Sequence, residues 1–141
     1  MAYLRQTQEL THVGALTILQ GAIVKAEEIG VPQCIAIVDT GGNLLAFVRM
    51  DGAKILSQLS ATQKAITAIS SRTATGGVAA DVELKLALAT GGQLTNLKGG
   101  IPITINDQIV GAIGVGSGSG AQDTEVALAG IAALQAAMQP E

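Results

Sequence analysis

The order of elements legible in this chain (helix, hairpin, helix, helix, hairpin, helix) predicts an α+β fold with a central, largely antiparallel sheet flanked by helices. Three observations predict it. Apolar residues recur at helical spacing near both ends and in the middle of the chain. Runs rich in β-branched residues come in two pairs, each joined by a few turn-forming residues. Strands that arrive as hairpins pair antiparallel, because parallel neighbours need long crossover connections.

The first helix is expected from Thr7 to Ile29, where Leu10, Val13, Leu16, Leu19, Ile23 and Ala26 form an apolar stripe, with Gly30 and Pro32 as its stop. Gln33 to Asp39 and Leu44 to Met50 follow as strands, and the glycines of Thr40-Gly41-Gly42-Asn43 suit the positive φ of a tight turn. From Ala53 to Arg72, Ile55, Leu56, Leu59, Ile66 and Ile69 mark the buried side of a second helix, with Ser57, Ser60 and Lys64 on its polar side. After a break at Thr73 to Gly77, Asp81 is the expected cap of a shorter helix reaching Leu88. Gly91-Gly92 and Gly99-Gly100 bound a loop that carries Lys98. Ile101 to Ile105 and Ile109 to Val115, separated by Asn106-Asp107-Gln108, form the second hairpin. Gly116 to Gly120 leads into an alanine-rich helix from Ala121 to Met138, with Asp123 and Glu125 in its first turn, where the helix dipole favours them.

A length of 141 residues suits one domain spanning residues 1–141, and nothing resembles a dividing linker. Charged residues make up 13% of the chain, against about 25% in ordinary globular proteins. Mean hydropathy is +0.46. So few charges cannot cover the surface, which points to a homo-oligomer that buries apolar area between copies. Charges interrupt every apolar run, so no membrane span is expected. No secretory signal is visible before Leu10, and a cytoplasmic location is expected. The lone Cys34 lies in an apolar run and reads as a small buried hydrophobe. A net charge of −3, no basic cluster, and only Tyr3 and Phe47 as aromatics exclude a nucleic-acid partner.

Ile37-Val38-Asp39-Thr40-Gly41-Gly42-Asn43-Leu44, followed by Phe47-Val48-Arg49-Met50-Asp51-Gly52-Ala53, resembles the signature hairpin of the GlcG/HbpS family. Lys64-Ala65 with Thr67-Ala68, Gly99-Gly100-Ile101-Pro102-Ile103, and Val110 to Val115 with Gly118 to Gly120 and Gln122-Asp123 agree in the same order. The resemblance spans about Leu10 to Leu134. It implies a profilin-like domain, usually a homo-oligomer, in a family where some members bind haem and a related domain is joined to a corrinoid adenosyltransferase of the PduO type. The implied function is a small-ligand-binding domain for haem or a related tetrapyrrole. The alternative is a cofactor-independent lyase, isomerase or hydrolase acting on a small oxygenated or aromatic metabolite. The chain departs from haem-binding members in having one histidine, His12, and Ile66 where an aromatic often follows the Lys-Ala pair.

On a strand, Arg49 and Asp51 share a face and Met50 takes the other, so an arginine fork and a carboxylate are expected at a pocket between the sheet and the helix after Asp51. Arg49 would orient an anionic group and Asp51 or His12 would move protons. The competing reading is a structural ion pair at a strand end or subunit interface. Met50, Lys64 and Lys98 are candidate ligand-binding residues for the same pocket, although both lysines also read as solvated surface residues. Ser60 and Lys64 are spaced Ser-x-x-x-Lys and miss the Ser-x-x-Lys nucleophile pattern. Gly118 and Gly120 are rim candidates, since a glycine-rich turn before a helix exposes backbone N–H groups, but the Gly-Lys-Ser/Thr ending of a phosphate loop is missing. His12 is an axial ligand or general base in one reading and a surface or interface residue in the other. No spacing suits a metal cluster, so no metal site is expected.

Overall fold

A computed structural model describes residues 1–140. Its elements run α1 (His12–Ile29), β1 (Cys34–Val38), β2 (Leu44–Arg49), α2 (Ser57–Ser71), α3 (Ala80–Ala89), β3 (Gly100–Ile105), β4 (Gln108–Gly116) and α4 (Gly120–Met138). The four strands form one antiparallel sheet in the order β2-β1-β4-β3. The expected α+β architecture and element order are therefore present.

The first hairpin turns on Asp39, whose Oδ1 accepts from the N–H groups of Gly41 and Asn43 (both 2.9 Å). The second needs two residues, not three. Asn106 and Asp107 both take positive φ (50° and 63°), and Gln108 already pairs with Ile105. That is the primed turn whose twist matches the flanking strands.

The sheet has a core on each face. On one, Ile35, Ile37, Ile103, Ile113 and Val115 meet Ile18, Leu19, Val126 and Ile131 of α1 and α4. On the other, Cys34, Ala36, Val38 and Ala112 meet Ala61, Ala65 and Ala68 of α2. The α2 layer lies unusually close, because Gly114 on β4 faces it. A Cβ there would overlap the Ala61 carbonyl oxygen and sit 2.5 Å from the Ala65 nitrogen.

Close packing also shifts two expected helix faces: Leu19, Ala26 and Ile69 are buried as expected, but other members of each stripe are not. In α1 the buried residues are Ala15, Ile18, Leu19, Ala22 and Ala26, whereas Val13 and Leu16 are 63% and 49% exposed. Three alanines join Ile18 and Leu19 on the inner side, and Val13 and Leu16 are left outside. In α2, Ser57 and Lys64 are buried while Ile55, Leu56 and Leu59 are exposed. A glycine-bearing sheet accepts small side chains at short range, and that requirement outweighs the apolar stripe.

Three boundaries also differ. Helix α1 starts after Thr11, whose Oγ1 accepts from Gly14 N–H (3.1 Å), while Leu10 N–H donates to Val110 C=O (3.2 Å) and holds the preceding chain against β4. Residues Ala53 to Leu56 form turns before α2. Ala79, not Asp81, occupies the N-cap position of α3 and makes no side-chain cap bond. The Asn96 amide instead clamps the entrance, accepting from Val78 N–H and donating to Val78 C=O (both 2.8 Å).

Candidate functional site

The residues expected to share one pocket lie in three places. Arg49, Met50 and Asp51 line a cavity of about 530 Å³ with Ile23, Ala26, Val31 and Val48. It opens against α1, not against the helix after Asp51. Strand β2 is an edge strand, and the chain turns at Met50 to Ala53, where Ala53 N–H donates to Met50 C=O (3.0 Å), before crossing to the other face. Asp51 lies in that turn, so strand alternation does not extend to it. Arg49 stands opposite Cys34 in the ladder and Met50 packs against the α1/α4 core. Among the described residues Arg49 and Asp51 form no salt bridge with each other or with another group of the same chain.

His12 borders a groove of about 550 Å³ walled by Val13, Leu16, Val24 and Ala133. Ile23, in the first cavity, is eleven residues further along α1, about 16 Å at the helical rise per residue. Within one copy of the chain the imidazole therefore does not share the cavity beside Met50. Thr17 and Val13 continue from this groove into a neighbouring hollow of about 540 Å³ that reaches Ile105, Val110, Leu134 and Met138. The apolar surface around the start of α1 is thus broad.

Lys64, Lys98, Gly118 and Gly120 do meet, at the end of the sheet between α2 and the start of α4, in a small cavity of about 220 Å³ with Lys54, Ser57, Ser60, Ser117 and Asp123. Lys64 is not the expected surface lysine. It is 4% exposed, and its Nζ donates to Asp123 Oδ2 (2.9 Å) and Val115 C=O (2.8 Å). Asp123 is 1% exposed, and its Oδ1 accepts from Gly118 N–H (2.9 Å). In the orientation its surroundings dictate, the buried Gln33 amide donates to Asp123 Oδ1 (2.8 Å) and Gly116 C=O (2.6 Å). An ion pair this deep persists because hydrogen bonds satisfy the remaining lone pairs. Gly99, at φ +125°, makes room for it, since a Cβ there would stand 2.8 Å from Asp123 Cβ. Lys98 is exposed, as expected.

Sequence reading placed Asp123 in the first turn of α4 and missed its partner and Gln33. The separation of 59 residues between Lys64 and Asp123 leaves no local signal. The one available hint was a lysine between Ala61 and Ala65 on a helix whose small residues define its inner side.

Burial raises the Cys34 thiol above its ordinary value of 9.0, with the Arg49 charge pulling the other way. No group of three or more His, Cys, Asp or Glu among the described residues is placed to hold a metal. No helix among them is long and apolar enough to cross a membrane.

A four-stranded antiparallel sheet with helices on both faces and solvent-open cavities beside them defines an α+β domain of two helical layers around one sheet. The chain belongs to the haem degrading protein HbpS-like family, whose sequence model matches residues 10–132. It is 36% identical over 125 residues to an uncharacterized 15.0 kDa protein from the dhaT-dhaS intergenic region of Citrobacter freundii, covering 84% of this chain and 87% of the relative. The crystal structure of Klebsiella pneumoniae protein ORFY, of family DUF336, superimposes with a TM-score of 0.90 at 30% identity over 96% of this chain and 97% of that one. A PduOC:haem complex superimposes with a TM-score of 0.81 at 28% identity, covering 89% and 94%.

Proposed function

We propose that this protein is a haem-associated small-ligand-binding domain, and that a tetrapyrrole lies in the His12 groove. One observation carries the placement. The only imidazole of the chain stands beside Val13, Leu16 and Val24, bulky apolar residues that the fold leaves in solvent. A flat apolar ligand would cover them, and His12 would supply the axial nitrogen that haem iron takes from histidine. The groove volume suits such a ligand, since small-molecule sites span about 300–1,000 Å³. Haem bound there would supply redox or oxygen chemistry, while Leu16 and Val24 would exclude water from its face. The relative solved with haem supports the ligand class.

Haem titration followed by absorbance tests this, because haem absorbs in the Soret region, where a polypeptide does not. The expected result is a saturable Soret shift that His12→Ala abolishes. A shift that survives His12→Ala but is lost in Met50→Ala moves the ligand to the Arg49–Asp51 cavity, where Arg49 and Met50 would hold it. No saturable shift overturns the haem reading.

The 141 residues read as one cytoplasmic domain that assembles with copies of itself. Both cores share the single sheet. Helix α3 supports the assembly: it has ten residues, none buried, and Leu84 and Leu88 are 69% and 74% exposed. A helix this short is marginal in water unless its apolar side is covered.

A further inference from the structure

We infer a second ligand site, distinct from the tetrapyrrole groove and at the end of the sheet where α2 meets the start of α4: the cavity at Lys64 binds one small oxyanion. Three lysines, Lys54, Lys64 and Lys98, line it against a single carboxylate, Asp123. That carboxylate is already consumed, since Lys64, Gly118 N–H and Gln33 occupy both its oxygens. An incoming anion therefore meets an excess of positive charge.

The donors are held in place. An ammonium has three N–H groups, and Lys64 uses two, on Val115 C=O and Asp123. The third belongs to a buried side chain that lines the cavity. Lys98 runs between two glycines: a Cβ on Gly76 would stand 2.5 Å from its Cγ, and one on Gly120 would stand 3.1 Å from its Cβ. Both glycines leave space for its aliphatic stem, which narrows the positions open to the ammonium. Ser117 takes φ +92°, an uncommon value for a residue with a side chain, and its Oγ accepts from Lys54 N–H (2.9 Å). That bond ties the backbone of Lys54 to the cavity wall.

Size limits the ligand. A volume of about 220 Å³ equals roughly seven waters of liquid, too little for a tetrapyrrole. It suits a carboxylate or phosphate group on a very small molecule, with Ser57 and Ser60 as further hydroxyl partners.

The test is a two-dimensional NMR titration of the full chain with sodium acetate and with inorganic phosphate at constant ionic strength, read at the Gly99 and Gly120 amides. The expected result is saturable movement of both amides with at least one anion. Affinity should fall about tenfold in Lys98→Ala, the usual scale for one charge-assisted hydrogen bond. Saturation by acetate alone assigns a carboxylate, and by phosphate alone a phosphate. Absence of saturation with either anion, or unchanged affinity in a Lys54→Ala/Lys98→Ala double variant of native spectral dispersion, overturns the proposal. Neither readout depends on haem, so failure here leaves the His12 reading intact.

Discussion

Lys64 Nζ lies 2.9 Å from Asp123 Oδ2 with both side chains almost fully buried, and this pair joins α2 to the first turn of α4 beside the end of β4. Removing either partner strands the other charge in the interior. Lys64→Met and Asp123→Leu should each lose about 3–5 kcal/mol. The double variant should lose clearly less than their sum, because no lone charge is left. Urea denaturation of all four proteins measures the coupling, and simple additivity would show that the two groups act independently.

Close approach of α2 to the sheet predicts a sharp contrast between two glycines. Gly114→Ala collides with the α2 backbone and should cost at least about 1–3 kcal/mol, the range for overpacking. Gly77→Ala, with nothing within 4 Å of the added carbon and no left-handed φ, should be neutral or stabilising by less than about 1 kcal/mol. Thermal denaturation of the two variants compares them directly, and equal losses would refute the packing argument.

Burial of Cys34 sets a direction for alkaline stability. Its folded thiol value lies above the ordinary 9.0, so the folded state retains the proton that the unfolded chain releases first. The associated stability is fully present below the unfolded value and is lost as pH rises through the folded one. Between pH 8 and pH 10 (~1 unit either side of the ordinary thiol value), the wild type should lose more stability than Cys34→Ala. Arg49→Ala, which removes the opposing charge, should widen that difference. Urea midpoints at the two pH values decide the matter, and parallel behaviour of wild type and Cys34→Ala would contradict it.

Helix α3 gives the assembly prediction. If copies cover Leu84 and Leu88, then Leu84→Asp/Leu88→Asp should convert an oligomer to the 14.1 kDa monomer in sedimentation at micromolar concentration. A wild type that sediments only as the monomer would refute self-association, and a double variant that stays assembled would place the contact elsewhere.

The sequence by itself determined the element order, both hairpins and the antiparallel sheet, because helical spacing, strand alternation and turn residues are local signals. Asp39 with Gly41 and Gly42, and Asn106 with Asp107, specify their turns within a few residues. Its motifs also carried the family resemblance over nearly the whole chain. Which side of each helix faces inward was decided only in three dimensions. Ala15, Ala22, Ala61 and Ala65 are inside because α4 and a glycine-bearing strand approach too closely for Leu16 or Leu59. Tertiary structure alone also divided the expected site, setting Arg49, Met50 and Asp51 against α1, His12 about 16 Å further back along it, and Lys64 with Lys98 where α2 meets the start of α4. The Lys64–Asp123 pair belongs to the same class of fact. Burial gives such a pair its strength, and burial is a property of how distant segments meet.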